Sequence, residues 1–413
     1  MEKVCFLVCQ YGKEVNGGAE YHCKMLAERL TPNYHVDVLT TKIINYNTYE
    51  PYYTQSKEII NGVNVLRFDC QPFHRETHDY WRKKSKLSRK IRRNLYRLGL
   101  SRSISNLFPI WHLGIKQEIE VLKSQGFYSE KMLDYLQENK DQYKAIILMS
   151  YHNPHTIFGA KIAPEKTILI PTLHEESEAF RSIQSHVFTN VGHIAFNTIE
   201  ETNLAKQLFG DKISPNSVIA VGVETEFDTY NADQDVKAKF DLPAHYLHYF
   251  GRVCRSKLDQ LIPWFIDYKQ KNPSNLKLVL TGRVFEEKIT HPDLIYTGFV
   301  SDEEKIALIK NATLVVNPSK SESLSLLLLE AMDLGKTVIV NGKSAVMKGH
   351  AIRSDFAAEY YTNKDNFQQI VHKYMTNPTL IEKNKVKAKQ YVQQHYNWKL
   401  IMDRVNRLIN QFD

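Results

Sequence analysis

Apolar residues in this chain gather in runs of about four to eight, and each run gives way to a longer stretch with apolar positions at helical spacing. The pattern predicts strands at Val4–Gln10, Val36–Thr41, Val63–Asp69, Ala145–Ser150, Thr167–Thr172, His193–Asn197 and Ser217–Val223. A second series follows at Tyr246–Val253, Lys277–Gly282, Leu294–Gly298, Thr313–Pro318 and Thr337–Val340. Strands that alternate with helices along a chain build parallel sheets from βαβ units, which makes the fold class α/β. Between the two series lies VETEFDTYNADQD (Val223–Asp235), polar and poor in branched apolar residues, where we place a hinge. The last pattern, Leu380 to Gln411, reads as two helices around the aromatic link HYNW.

A length of 413 residues exceeds what one hydrophobic core organises, and 43% hydrophobic with 24% charged residues is ordinary globular usage. The boundaries expected are residues 1–224, 225–390 and a terminal segment 391–413. Cys5, Cys9, Cys23, Cys70 and Cys254 are scattered, odd in number and without paired metal-ligand spacing, which favours a reducing compartment and opposes a zinc site. The opening MEKVCFLVCQYG is too short an apolar run for a signal peptide, and no segment approaches the ~20 apolar residues of a membrane span. A cytoplasmic protein is expected.

The net charge of +8 is local in origin. Ten Lys/Arg and no acids lie between Trp81 and Arg102, leaving 44 basic against 46 acidic residues elsewhere. Within that segment Leu87, Ile91, Leu95 and Leu98 recur at helical spacing among Arg89, Lys90, Arg92, Arg93 and Arg97, and LFPIWHLGI follows at Leu107–Ile115. This basic amphipathic insertion, about residues 80–115, suits an anionic membrane surface. Two other readings stay open: a lid helix packing its apolar stripe on its own domain, and a nucleic-acid contact.

Chemistry concentrates after predicted strands. NPSKSESLSLLLLEAMDLG (Asn317–Gly335) carries Glu322 and Glu330 around a turn that opens a helix, near a strand's carboxyl end, where open α/β sheets bind ligands. The amides of that turn and helix start, at Leu324, Ser325 and Leu326, can hold phosphate, and the carboxylates can accept from sugar hydroxyls. Gly17 and Gly18 open a helix after the first strand and leave amides free to approach a diphosphate, with no G-x-G-x-x-G. In GRVCRSK (Gly251–Lys257) Arg252 offers a planar fork and Lys257 a compact cation, a pair suited to pyrophosphate. His174 lies directly beyond a buried-strand pattern, beside Glu175 and Glu176. YTGFVSDEE (Tyr296–Glu304) ends a strand and begins a helix capped by Ser301. Asp233 and Asp235 form a D-x-D in the hinge-like run rather than at a strand end, and read as incidental. No G-x-S-x-G, H-E-x-x-H or Walker loop occurs.

The string P-S-x-x-E-S-L-S-L-x-x-L-E-A-M-x-x-G-K-x-V-I, from Pro318 to Ile339, resembles the signature of glycosyltransferase family 4, retaining enzymes of the GT-B fold. The family usually has Gly-Phe-Gly where this chain has Ser323, Leu324 and Ser325, and a glycine where it has Leu258. The resemblance implies two Rossmann-like doubly wound domains with an interdomain cleft, an N-terminal acceptor-side domain, a C-terminal nucleotide-sugar domain and a final helix crossing back to the first. It implies that Glu330 holds ribose, that Glu322 and His174 position the sugar, and that Arg252 and Lys257 stabilise the leaving diphosphate. Gly17 and Gly18 then lie beside the donor phosphates, and main-chain groups at Phe299 and Val300 hold the base. A nucleoside-diphosphate sugar is the expected co-substrate, with a glycan or lipid-linked acceptor and no metal or other cofactor. A GT-B-fold sugar-nucleotide epimerase, or a catalytically silent GT-B-like protein docking on membrane or RNA, would be the alternatives.

Overall fold

The computed structural model describes residues 1–15, 17–225 and 232–412, and the side chains of 232–235 fall outside the description. Residues 226–231 of the expected hinge and both side chains of the D-x-D therefore lie outside the described residues. The chain forms two compact units, Met1–Val221 with Ile401–Asp413, and Gly222–Leu400.

Unit 1 is built on β1 (Lys3–Leu7), β2 (His35–Thr41), β3 (Lys57–Ile60), β4 (Val63–Phe68), β5 (Ala145–Met149), β6 (Thr167–Ile170), β7 (His193–Phe196) and β8 (Asn216–Val218), in the order β3-β4-β2-β1-β5-β6-β7-β8. Unit 2 holds β9 (Tyr246–Phe250), β10 (Lys277–Thr281), β11 (Leu294–Gly298), β12 (Leu314–Asn317), β13 (Val338–Asn341) and β14 (Ala358–Tyr361), in the order β11-β10-β9-β12-β13-β14. The inner strands are buried on both faces, which is why they read as unbroken apolar runs. Strand order reverses between β1 and β5 and between β9 and β12, so each unit has a topological switch point at the carboxyl ends of those pairs, the place where open α/β sheets generally bind ligands.

Every expected strand is present, and two were missed. β14 is a short edge strand with two half-buried residues. β3 also corrects the all-parallel expectation, because it runs antiparallel to β4 with Ile60 opposite Val63. Asn61 and Gly62 make the two-residue turn with φ of 48° and 82°, values that only small or amide-bearing residues adopt readily.

The basic insertion is helical over Arg75–Lys84, Lys86–Arg97 and Ser101–Leu107, and it corrects the sequence reading in one respect. In helix Lys86–Arg97 the buried residues are Ser88, Arg89 and Arg92, while Leu87 and Leu98 are 64% and 70% exposed. The basic side packs inward because the unit supplies acceptors. Arg92 donates to the carbonyls of Arg181 (2.6 Å) and Leu208 (3.0 Å) and lies against the rings of Trp111 and Phe209. Arg89 donates to Ser177 Oγ (2.9 Å), Glu178 Oε1 (3.3 Å) and the Arg82 carbonyl (3.0 Å). Ser88 donates to the buried Glu118 (2.7 Å), whose carboxylate also accepts the Ser182 and Ile183 amides. A guanidinium can be buried when its donors are met by carbonyls and carboxylates. Of the predicted stripe Leu87 and Leu98 are exposed and Ile91 and Leu95 half-buried, so the helix packs on its own unit chiefly through its arginines rather than through the stripe. Among the described residues no helix is long and apolar enough to cross a membrane.

Candidate active site

In unit 2 the site grows from the switch point between β9 and β12. β9 ends at Phe250, and Gly251 turns the chain with φ 140° while its amide donates to the Thr281 carbonyl at 2.9 Å. Gly282, at the end of β10, has φ 131° and passes so close that a Cβ there would overlap the Gly251 carbonyl oxygen. This tight crossing directs Arg252 to the surface, with its carbonyl held by the Tyr249 hydroxyl at 2.8 Å. On the short helix that follows, Arg255–Leu258, Lys257 Nζ lies 2.8 Å from Glu322 Oε1 and 3.4 Å from Ser319 Oγ. Lys257 and the first motif glutamate therefore meet, although 65 residues separate them.

The turn after β12 is built around Ser325. Its φ of 74° is a left-handed conformation that suits glycine, which the resembled family carries there. Serine keeps the same conformation by capping: its Oγ accepts the Leu328 amide at 3.3 Å and the Asn317 Nδ2 at 2.9 Å, starting helix Leu326–Asp333. The helix buries Glu330, whose Oε1 is 3.1 Å from Lys305 Nζ. Burial pushes the Glu330 carboxyl up, and Lys305 opposes that shift. Glu322 and Glu330 thus have separate cationic partners. The loop Gly298–Val300 leaves the Phe299 ring exposed and Val300 against Ala307 and Leu308, and Ser301 with Glu304 forms a capping box for helix Asp302–Asn311.

Sequence reasoning missed His350. It is buried, with Nε2 2.8 Å from the Leu324 carbonyl and Nδ1 2.8 Å from the Tyr391 hydroxyl. A carbonyl only accepts, so Nε2 carries the proton and Nδ1 accepts from the tyrosine; burial, lowering its pKa to about 3, keeps the ring neutral. His350 thereby turns the Leu324 carbonyl into the core and away from the turn.

In unit 1 the corresponding switch point, between β1 and β5, carries Gly17 and Gly18. Gly17 caps helix Gly18–Leu30, and a Cβ there would come within 2.7 Å of the Glu20 carboxyl carbon, whereas Gly18 faces open space. The Glu20 carboxylate, held by the Tyr46 hydroxyl at 3.0 Å, already lies beside the amides expected to receive phosphate. His174 follows β6, with Nδ1 3.2 Å from the Thr172 carbonyl and Nε2 3.5 Å from Glu176 Oε2. The Tyr151 hydroxyl donates to the other Glu176 oxygen at 2.6 Å. Burial works to raise the Glu176 carboxyl, but the hydrogen bond and charge of His174 with the Tyr151 bond prevail and bring it to about 2. Glu201 was also missed. Buried at the start of helix Ile199–Phe209, it accepts the Leu173 amide and, at 2.6 Å, the Asn197 amide, tying down the residue before His174.

Residues 244–371 match the family model described as Glycosyl transferases group 1, a span that contains Arg252, Lys257, Phe299, Val300, Glu322 and Glu330. The chain is 26% identical to the uncharacterized glycosyltransferase MJ1607 of Methanocaldococcus jannaschii, over 96% of this chain and 95% of that protein. It is 28% identical over 180 residues to glycosyltransferase 1 domain-containing protein 1 of Xenopus tropicalis, a match covering 40% of this chain and half the length of that relative. Anabaena HepE, solved with UDP and glucose, superposes with a TM-score of 0.67 at 14% identity, covering all of both chains. The fold is GT-B, with two Rossmann-like α/β units.

Proposed function

We propose that this chain is a retaining glycosyltransferase that moves a sugar from a nucleoside diphosphate to a hydroxyl of a growing, lipid-linked glycan, in cell-surface polysaccharide synthesis. The carrying observation is the Lys257–Glu322 pair at the β9/β12 switch point, a cation and a hydroxyl acceptor joined at 2.8 Å where a sugar diphosphate needs both. Arg252 and Lys257 take the charge that grows on the leaving diphosphate. Leu324, Ser325 and Leu326 offer the amides of the turn, the Phe299–Val300 main chain meets the base, and Glu330 accepts the ribose hydroxyls. In unit 1, His174 meets a sugar hydroxyl, and Gly17 and Gly18 face phosphate beside Glu20. A leaving phosphate oxygen can deprotonate the incoming hydroxyl on the face it departs from, which retains configuration and needs no carboxylate pair. The reading requires no metal or other cofactor.

The test is binding and turnover with UDP-, GDP- and dTDP-sugars. Glu330→Ala is expected to weaken both the free nucleoside diphosphate and the nucleotide-sugar, because ribose is common to them, whereas Glu322→Ala lowers turnover and leaves nucleotide affinity near wild type. Equal loss of nucleotide affinity in both variants contradicts the division of roles, and no release of nucleotide with any sugar donor and glycan acceptor contradicts the activity.

We also assign the insertion a peripheral position on the cytoplasmic face of an anionic membrane. Leu87, Leu98, Leu107 and Phe108 are exposed among the exposed Lys83, Lys84, Lys86, Lys90 and Arg97, which supports an apolar, basic contact. With Arg89 and Arg92 committed inward, glutamine at Lys83, Lys84, Lys86 and Lys90 is the informative substitution. At about 1 kcal/mol per engaged cation, it is expected to abolish sedimentation with anionic vesicles while sparing turnover on a short soluble acceptor. Unchanged co-sedimentation, or wild type that ignores vesicles and binds RNA, removes the membrane assignment.

A further inference from the structure

We propose that Lys305 is a positioning residue for nucleotide binding, holding the Glu330 side chain in the charged form that a ribose diol requires. The inference rests on the assignment of Glu330 to ribose. An isolated carboxyl in the position of Glu330 would take up a proton rather than keep its charge, since burial penalises the ionised form. A carboxylate can accept charge-assisted bonds from two neighbouring hydroxyls at once, while a carboxylic acid has one fewer acceptor site, carries no charge, and pairs with the diol more weakly.

The group that opposes protonation comes from another element. Lys305 lies in the first turn of helix Asp302–Asn311, immediately after the Phe299–Val300 loop. Its ammonium is 3.1 Å from Glu330 Oε1, 3.3 Å from Asp302 Oδ1 and 5.9 Å from the centre of the Phe250 ring at the end of β9. One side chain therefore joins three parts of the unit 2 site: the base loop's helix, the glutamate helix and the strand leading to Arg252. Among the described residues, Asp302 acts on Glu330 in the opposite sense and favours its protonation. Without Lys305, burial and Asp302 would both drive Glu330 neutral.

A purely structural Lys305, serving only as the i+3 partner of Asp302, predicts a different result. In the full chain, UDP, GDP and dTDP are titrated calorimetrically between pH 6 and 8.5 against wild type, Lys305→Met and Lys305→Arg. The informative quantity is the ratio of variant to wild-type dissociation constants, in which the nucleotide's own protonation cancels. For Lys305→Met the ratio is expected to grow as pH falls, approaching about tenfold per pH unit once Glu330 is protonated in the variant and still ionised in wild type. Lys305→Arg is expected to restore most of the affinity and flatten the ratio. Adding Glu330→Gln to Lys305→Met is expected to remove the pH dependence of the ratio, which guards against a general loss of structure in the single variant. A ratio that stays constant with pH, or one that still varies in the double variant, overturns the inference. Failure of wild type to bind any of the three nucleotides overturns the ribose assignment and this inference with it.

Discussion

Lys257→Ala is expected to lower kcat by about 2–4 kcal/mol of transition-state stabilisation, the scale for removing one preorganised electrostatic donor. The lysine is fixed before any donor arrives. It extends from a four-residue helix behind Gly251, with its ammonium on Glu322 at 2.8 Å and Ser319 at 3.4 Å. As the sugar–phosphate bond breaks, negative charge grows on the leaving oxygen, and a cation already in position stabilises that change without reorganising. Folding is expected to change little, because Lys257 and Glu322 keep 26% and 20% side-chain exposure and a water-screened pair of this kind contributes about 0–1 kcal/mol. Single-turnover rates with saturating donor, beside thermal unfolding, separate the two effects. A variant with the wild-type rate places Lys257 outside the reaction.

Gly282→Ala is expected to damage both the stability of unit 2 and the site. The position has φ 131°, which L residues rarely adopt, at about 1–3 kcal/mol. The added methyl would overlap the Gly251 carbonyl oxygen and come within 2.9 Å of its carbon, and backbone cannot swing aside like a side-chain tip. Relieving the overlap means separating the ends of β9 and β10, which displaces Arg252 and costs a further ~1–3 kcal/mol on the scale of overpacking. A lower unfolding midpoint together with weaker UDP binding is the expected pair of results. A variant that matches wild type in both would show that the crossing is far softer than its geometry implies.

The strands were legible because parallel strands covered on both faces must be apolar throughout, and such runs stand out against helical periodicity. β3 escaped because it begins with Lys57 and Glu58 and leaves only Ile59 and Ile60 as an apolar run; the Asn61-Gly62 pair was the local signal that could have revealed it. From the sequence, Arg252, Lys257 and Glu322 could be placed as candidates just beyond strand ends, and Glu330 on the helix that follows. The contacts around the candidate residues could not be read. Glu201 reaches Leu173 across 28 residues, Lys305 reaches Glu330 across 25 and His350 reaches Leu324 across 26, so no short window holds both partners. The basic helix shows a different limit. Periodicity revealed two faces but not which one turns inward, since arginines met by carbonyls pack inside as leucines would.

That inverted helix separates two kinds of constraint along one element. Arg89 and Arg92 are held by the Ser177, Arg181 and Leu208 contacts of the unit they help to build, so their replacement is filtered by folding itself. Leu87, Lys90 and Leu98 bear on none of those contacts and answer only to what lies outside the molecule. Substitutions on the outer positions alone could therefore change the surface this helix presents, with the scaffold beneath inherited unchanged.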